Sequence, residues 1–235
     1  MSLVDENRQK VRVVVIDSGI DSSVSTLKHN IIKSTGFWVN SVGLIGEVSN
    51  KQINSLHGTS VALVIKDICN NVEFVSFNIL NERLKTDSRI MIYAMNEALR
   101  EKPNIIHLSL GTSNWRYYFY IKKIVNEAKK NNIIIVAAYN NKGIFPSYPA
   151  SIRGVVGVKS LFNNSGKNFF YYKYGRYYAP NSLNEIEGSS ELINAVEIKG
   201  TSISAAYITG HIANVIFNQD IHNYNDILKS LKTRT

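Results

Sequence analysis

One cysteine stands among 235 residues. Cys69 alone cannot close an intramolecular disulfide, so no disulfide framework holds this chain, and such sparing use fits a reducing compartment. Proline is nearly as scarce, with four residues beside 14 glycines, and 44% of the chain is hydrophobic. Collagen-like, solenoid and disordered classes are therefore poor descriptions. No apolar run approaches the ~18–20 residues of a membrane-spanning helix. The opening MSLVDENRQK also lacks the apolar centre of a signal peptide. Acidic residues are the last shortage: 18 against 27 basic ones, a net charge of +9. That excess suits nucleic acid, an anionic membrane or an acidic peptide, and suits equally well lysines solvated on exposed helix faces. The length fits one α/β domain. With no internal repeat and no low-complexity linker, a single domain over 1–235 is expected.

What is present alternates. VRVVVI at 11–16 is a short β-branched apolar run, the pattern of a buried strand. A polar loop follows, then a helix over 59–68 with Val61, Val64, Ile65 and Ile68 at turn spacing. Strand 73–80 precedes a helix over 87–100 with Met91, Ala94, Met95 and Ala98 on one face. Strand 105–110, helix 118–130 and strand 133–138 continue the series. Strands alternating with helices of this length predict βαβ units and a parallel sheet, with ligands at the carboxyl ends of its strands. Between 153 and 199 short segments at 155–158, 169–172 and 176–179 read as hairpins and loops. Helices over 202–218 and 225–231 close the chain.

Three polar signatures interrupt this pattern at element ends. VVVIDSGID puts Asp17 at the end of the first strand. Taken singly it is as well read as a turn-forming Asp-Ser-Gly, or as the strand-end Asp of a phosphatase or nucleotide-binding fold. HGTSVA puts His57 before Gly58 and an apolar helix, where a lone His is commonly a surface or capping residue. Gly58 would leave room beside the imidazole for a substrate. GTSISAA puts Ser202 at the start of the last long helix, either as part of a Thr/Ser cap or as a nucleophile beside backbone N–H groups at the positive helix end. Together they place Asp, His and Ser in that chain order, 40 and 145 residues apart, each with a flanking glycine. The strand IIIVAA then runs into Tyr139 and Asn140, and an Asn amide is a neutral donor suited to an oxyanion.

DSGID, HGTSVA and GTSISAA, in this order, resemble the triad motifs of the subtilisin-like serine peptidases. IIHLSLGT is similar to that family's substrate-binding strand, and VAAYN to its oxyanion-asparagine strand. FPSYPAS, VVGV and YYAPNS resemble its connecting segments. The resemblance runs from about Val11 to Gly210. It implies an α/β, three-layer subtilisin-like fold with a mainly parallel central sheet. It further implies a serine endopeptidase in which Ser202 attacks, His57 moves the proton, Asp17 orients the imidazole, and Asn140 with the Ser202 N–H holds the oxyanion. Ser109, Leu110, Gly111 and Tyr139 are the implied substrate-binding residues, Ser109–Gly111 pairing with an extended peptide.

The departures carry information too. Ser60 stands where the family has a second His, and Ile203–Tyr207 replaces Met-Ala-Ser-Pro-His; changed packing with chemistry intact is expected at both. Tyr139 stands where Gly is usual, predicting a narrowed pocket that favours small residues before the cut. Residues 81–88 lack the glycines of the family's opposing substrate strand. Phe169–Tyr178 reads first as a packed hairpin and next as a peptide-recognition surface, with base stacking the least favoured, His211 as a hydrogen-bonded structural residue, and Cys69 as a small core residue. The resemblance allows structural calcium, but no Asp/Glu spacing assigns a ligand set, so no metal and no cofactor are expected. Expected partners are a peptide or protein substrate, acidic if the +9 surface selects it, with no nucleic acid and no membrane span. Oligomeric state is not readable. With only 16 residues before Asp17, a cytoplasmic enzyme without a prodomain is expected, similar to those that remove leaders from ribosomally made peptides; a trimmed secreted domain is the other reading. A catalytically inactive, peptide-binding subtilase is the alternative function. A nucleotide-binding protein is disfavoured because no Gly-rich phosphate loop follows the first strand.

Overall fold

The first apolar run becomes the middle of a sheet. In the computed structural model, which describes residues 8–140, 146–161, 166–183, 186–192 and 199–233, strand β1 is Val11–Asp17. Its side chains alternate, Val13 and Val15 entering one core and Val14 and Ile16 the other. A strand buried on both faces needs this continuous β-branched run. Of the segments read above, Phe145 of FPSYPAS and parts of 153–199 lie outside the described residues.

The remaining elements are β2 (Ile31–Val39), β3 (Ile45–Ser49), α1 (His57–Ile68), β4 (Val72–Asn78), α2 (Ser88–Arg100), β5 (Ile105–Leu108), α3 (Tyr118–Lys130) and β6 (Ile134–Ala138). They continue with β7 (Val155–Leu161), β8 (Tyr171–Lys173), β9 (Arg176–Pro180), α4 (Thr201–Gln219) and α5 (Tyr224–Lys232). The strands form one sheet in the order β3-β2-β4-β1-β5-β6-β7-β9-β8. Pairings from β2 through β9 are parallel, and only the edge strands β3 and β8 are antiparallel. Helices α1 and α4 bury their apolar faces on one side, α2 and α3 on the other. The result is the expected three-layer α/β architecture around a mainly parallel sheet.

Two expectations are corrected. The stretch between β1 and α1 is not simply a polar loop; it holds β2 and β3. Only Thr35, Gly36 and Phe37 of β2 are buried while Ile32, Lys33 and Trp38 are exposed, so no alternation marks the strand in sequence. The 153–199 stretch is only partly hairpin. β7 extends the parallel sheet from β6, and β9 extends it from β7. The true hairpin is β8–β9, turning at Tyr174 and Gly175, both with positive φ (51° and 74°) as a tight two-residue turn requires.

The parallel register brings the carboxyl ends of neighbouring strands together. Asp17 lies opposite Asn78, Ile16 opposite Leu108, and Leu108 opposite Ala137. Residues immediately after β1, β5 and β6 therefore share one rim, where α1 and α4 begin.

Candidate active site

Asp17, the last residue of β1, is fully buried. Its Oδ1 accepts the Ser18 N–H at 2.6 Å and faces His57 Nδ1 at 2.8 Å. His57 opens α1, and the tightness of this start comes from Gly58. A Cβ there would sit 2.4 Å from the Gly19 carbonyl oxygen and 3.2 Å from the Asp17 Cβ. The bare Cα thus serves the packing of α1 onto the β1 turn, a different use from the substrate access expected for it. Ser18 ties the same corner, its Oγ donating to the Ser55 carbonyl and accepting the Gly58 N–H. Burial pushes the Asp17 carboxyl upward, but the His57 charge and hydrogen bonds outweigh it and hold the group below the usual carboxylate range. For His57, burial works against the charged form, yet Asp17 prevails and raises the imidazole above its ordinary value.

Ser202 is the second residue of α4. Gly200 precedes the helix at φ 134°, a backbone region left to glycine, and no side chain caps the first turn. Within that turn the Ile203 and Ser204 N–H groups donate to the Gly200 carbonyl at 3.1 and 3.2 Å. Thr201 Oγ1 donates to the Tyr139 carbonyl at 2.6 Å, fixing the helix start to the end of β6. Ser202 Oγ donates to the Ser109 carbonyl at 3.3 Å. Among the described residues no hydrogen bond joins Ser202 to His57. The structure brings Asp17 together with His57, and Ser202 together with Ser109, which stands near the Asp17 carboxylate.

The other expected site residues lie along the same rim. Leu110 is half-buried against the α2–α3 core. Gly111 is exposed, and a Cβ on it would meet the Tyr148 carbonyl at 2.7 Å and Ser147 Oγ at 2.8 Å. Thr112 and Tyr148 exchange two backbone hydrogen bonds of 2.8 Å beside it. Asn140 is exposed, one residue beyond Tyr139. The Tyr139 ring leans over β7, where a Cβ on Gly157 would come within 2.7 Å of it. Lys159 and Arg176 stand 5.6 and 5.1 Å from its centroid. These contacts lie across β6 from β5, so the phenol turns away from Leu110 and Gly111.

Sequence reading missed one residue of this rim. His107, in β5, is fully buried, with Nδ1 2.8 Å from Thr209 Oγ1 of α4 and Nε2 3.0 Å from Ser109 Oγ. Burial pushes its pKa down to about 4, further than Asp17 can offset. The signal was there, a histidine inside the apolar run IIHLSL, but strand periodicity absorbs it.

The subtilase family matches residues 8–233. The chain belongs to that family. It is a subtilisin-like serine protease by membership. The major intracellular serine protease of Bacillus subtilis (strain 168) is 25% identical over 229 residues, covering 87% of this chain and 68% of that protein. The chain spans between 24% and 68% of the length of the curated relatives it matches first. Among solved structures, a lanthipeptide protease superposes with a TM-score of 0.69 at 21% identity, over 92% of this chain and 77% of that one. The nisin leader peptidase NisP from Lactococcus lactis gives 0.71 at 17%, over 94% and 82%.

The departures of this subtilase have local explanations. Ser60 is buried and donates its hydroxyl to the Leu56 carbonyl at 3.0 Å, so the missing histidine is replaced by an internal helix contact. α4 runs unbroken through Ile203–Tyr207. Residues 81–85 close a turn in which the Asn81 side chain accepts two backbone N–H groups. His211 bonds the Lys167 carbonyl at 3.2 Å and packs on Phe170, and Cys69 is buried with its thiol pushed up to about 11. Among the described residues no group of three or more His, Cys, Asp or Glu is placed to hold a metal ion.

Proposed function

We propose that this subtilase hydrolyses peptide bonds with Asp17, His57 and Ser202 as its triad and Asn140 with the Ser202 N–H as its oxyanion donors. The observation that carries the reading is the buried Asp17–His57 pair, 2.8 Å apart and electrostatically mutual. In the reaction the Ser202 hydroxyl turns from the Ser109 carbonyl to His57, which takes the proton as Oγ bonds the scissile carbonyl carbon. His57 then gives that proton to the departing amine, and water repeats the sequence on the acyl-enzyme. The Ser202 N–H, in the first turn of α4, is the backbone donor offered to the oxyanion at the positive helix end. Hydrogen bonds of this kind are commonly loose without substrate, so the Ser202–Ser109 contact is compatible with the role.

The substrate class we propose is a ribosomally made peptide carrying an acidic leader, cleaved in the cytoplasm by residues 1–235 acting as one catalytic domain. Likeness in fold to the lanthipeptide protease and to NisP supports the leader reading, and the intracellular relative supports the compartment. No helix of the described residues is long and apolar enough to cross a membrane. Acidity is supported by a groove of about 450 Å³ that starts at Tyr139 and is lined by Lys129, Arg153 and Lys232 with Tyr172 and Tyr224; its described lining contains no Asp or Glu. The inactive alternative gains nothing from the site, since all four chemical positions hold competent residue types.

A fluorophosphonate probe tests the chemistry directly. Labelling at Ser202 is expected, absent in Ser202→Ala and slowed at least tenfold in His57→Ala. A folded protein that never labels overturns the proposal.

A further inference from the structure

His107 takes no part in the chemistry above, yet it sits in the middle of the site's buried polar groups. The direction of its hydrogen bonds follows from counting protons. Thr209 Oγ1 donates its only proton to the Ala205 carbonyl at 2.9 Å. Toward His107 Nδ1, 2.8 Å away, Thr209 can only accept, so Nδ1 carries the ring proton. A neutral imidazole protonated at Nδ1 has a bare Nε2, and the group facing it at 3.0 Å is the Ser109 hydroxyl. Ser109 therefore spends its proton on His107. The consequence is visible one step further on: Asp17 Oδ2 is buried without a hydrogen-bond partner, although Ser109 stands close enough to bear on that carboxylate.

A buried acceptor left unpaired is costly, and one beside a hydroxyl asks for a reason. We propose that His107 is a positioning residue that holds the Ser109 proton away from Asp17, leaving the Asp17 charge undivided for His57. An aspartate that shares its charge with a serine attracts the imidazolium proton less, and His57 becomes a weaker base. His107 acts only through Ser109 and touches no reacting atom. The charged groups that bear on it are Asp17 of β1 and His57 of α1. α4 faces it with the Thr209 hydroxyl, and its strand neighbours Val15 and Val136 are apolar.

The inference rests on Asp17 and His57 working as a pair, so its test uses substrate-free enzyme and NMR of the histidine rings. Failure here with Ser202 still labelling would overturn the His107 role alone. In the wild type, ¹⁵N shifts of His107 are expected to be those of a neutral ring protonated at Nδ1 throughout pH 5–9. An Nε2–H tautomer or a charged ring overturns the proposal without any variant. His107→Leu frees the Ser109 hydroxyl for Asp17 and is expected to lower the His57 pKa by on the order of half a unit. In the Ser109→Ala background the same substitution should leave His57 where it was. A merely structural role would change stability and leave both titrations unmoved, and an equal shift with and without Ser109 would also sink the idea.

Discussion

At the scale of single residues, burial decides which groups titrate where. His107 is neutral and enclosed, with its pKa pushed down to about 4 against about 6.5 for an exposed histidine. Between those values the unfolded chain binds a proton that the folded protein refuses, so stability rises with pH across the window and is lost as pH falls from about 6.5 to 4. One such group contributes a loss of about 3 kcal/mol at the acid end. Urea unfolding at pH 7 and at pH 4 should show that drop in the wild type and a clearly smaller one in His107→Asn; equal drops in the two proteins would refute it. The opposite sign holds for His57, whose raised pKa contributes stability below about pH 6.5 and loses it as pH rises through the folded value. The two histidines therefore pull the acid stability in opposite directions.

At the scale of elements, the site depends on how helices begin. α1 starts on a turn so close that Gly58 has no room for a methyl group, the obstacle being the Gly19 backbone oxygen and not a movable side chain. Gly58→Ala is expected to destabilise the fold by about 1–3 kcal/mol and to displace His57 from Asp17. Reactivity toward the fluorophosphonate probe should fall by as much as about 10²-fold. Thermal melting with labelling rates checks both; a variant as stable and reactive as the parent would show that the start of α1 is pliable. The same element view explains what the sequence could and could not disclose. Strands β1, β4, β5 and β6 and helices α1 to α4 are legible because burial imposes a period on Val, Ile, Met and Ala. β2 is not, since half of it faces solvent at the flank of the sheet and carries Lys33, Ser34 and Thr35 in its middle. The parallel direction of β7 and β9 is hidden as well, because a run such as VVGV reads the same in a hairpin or a crossover. Asp17, His57 and Ser202 stood out through their glycine-flanked positions at element ends. The bond from Ser202 to Ser109, the lean of Tyr139 over Gly157 and the proton order around His107 did not, because each depends on a partner distant in the chain.

At the scale of the whole molecule, the net charge of +9 acquires a location. Cations gather where β7, β9 and α5 meet, around Tyr139, Tyr172 and Tyr224. Exposed charges are screened over about 10 Å at 0.1 M salt and about 3 Å at 1 M. Cleavage of a peptide with an acidic leader should therefore slow as salt is raised across that range, while a neutral peptide cut at the same bond responds little. Arg153→Glu combined with Arg176→Glu should abolish the difference. Equal salt responses of the two peptides would remove the groove from the account of specificity.

The order of the strands has a further effect, on the company the protein can keep. Its most apolar segments, VVVI in β1 and IIIVA in β6, are the kind that stack into cross-β fibres when a neighbour can reach them. They lie inside the sheet. The strands at its two rims are β8, three residues ending at Lys173, and β3, five residues with Glu47 at its centre, both antiparallel and both short. Short charged rims give an unfolded chain little to pair with. The folded chain thus keeps its most fibre-prone strands out of reach of a neighbour.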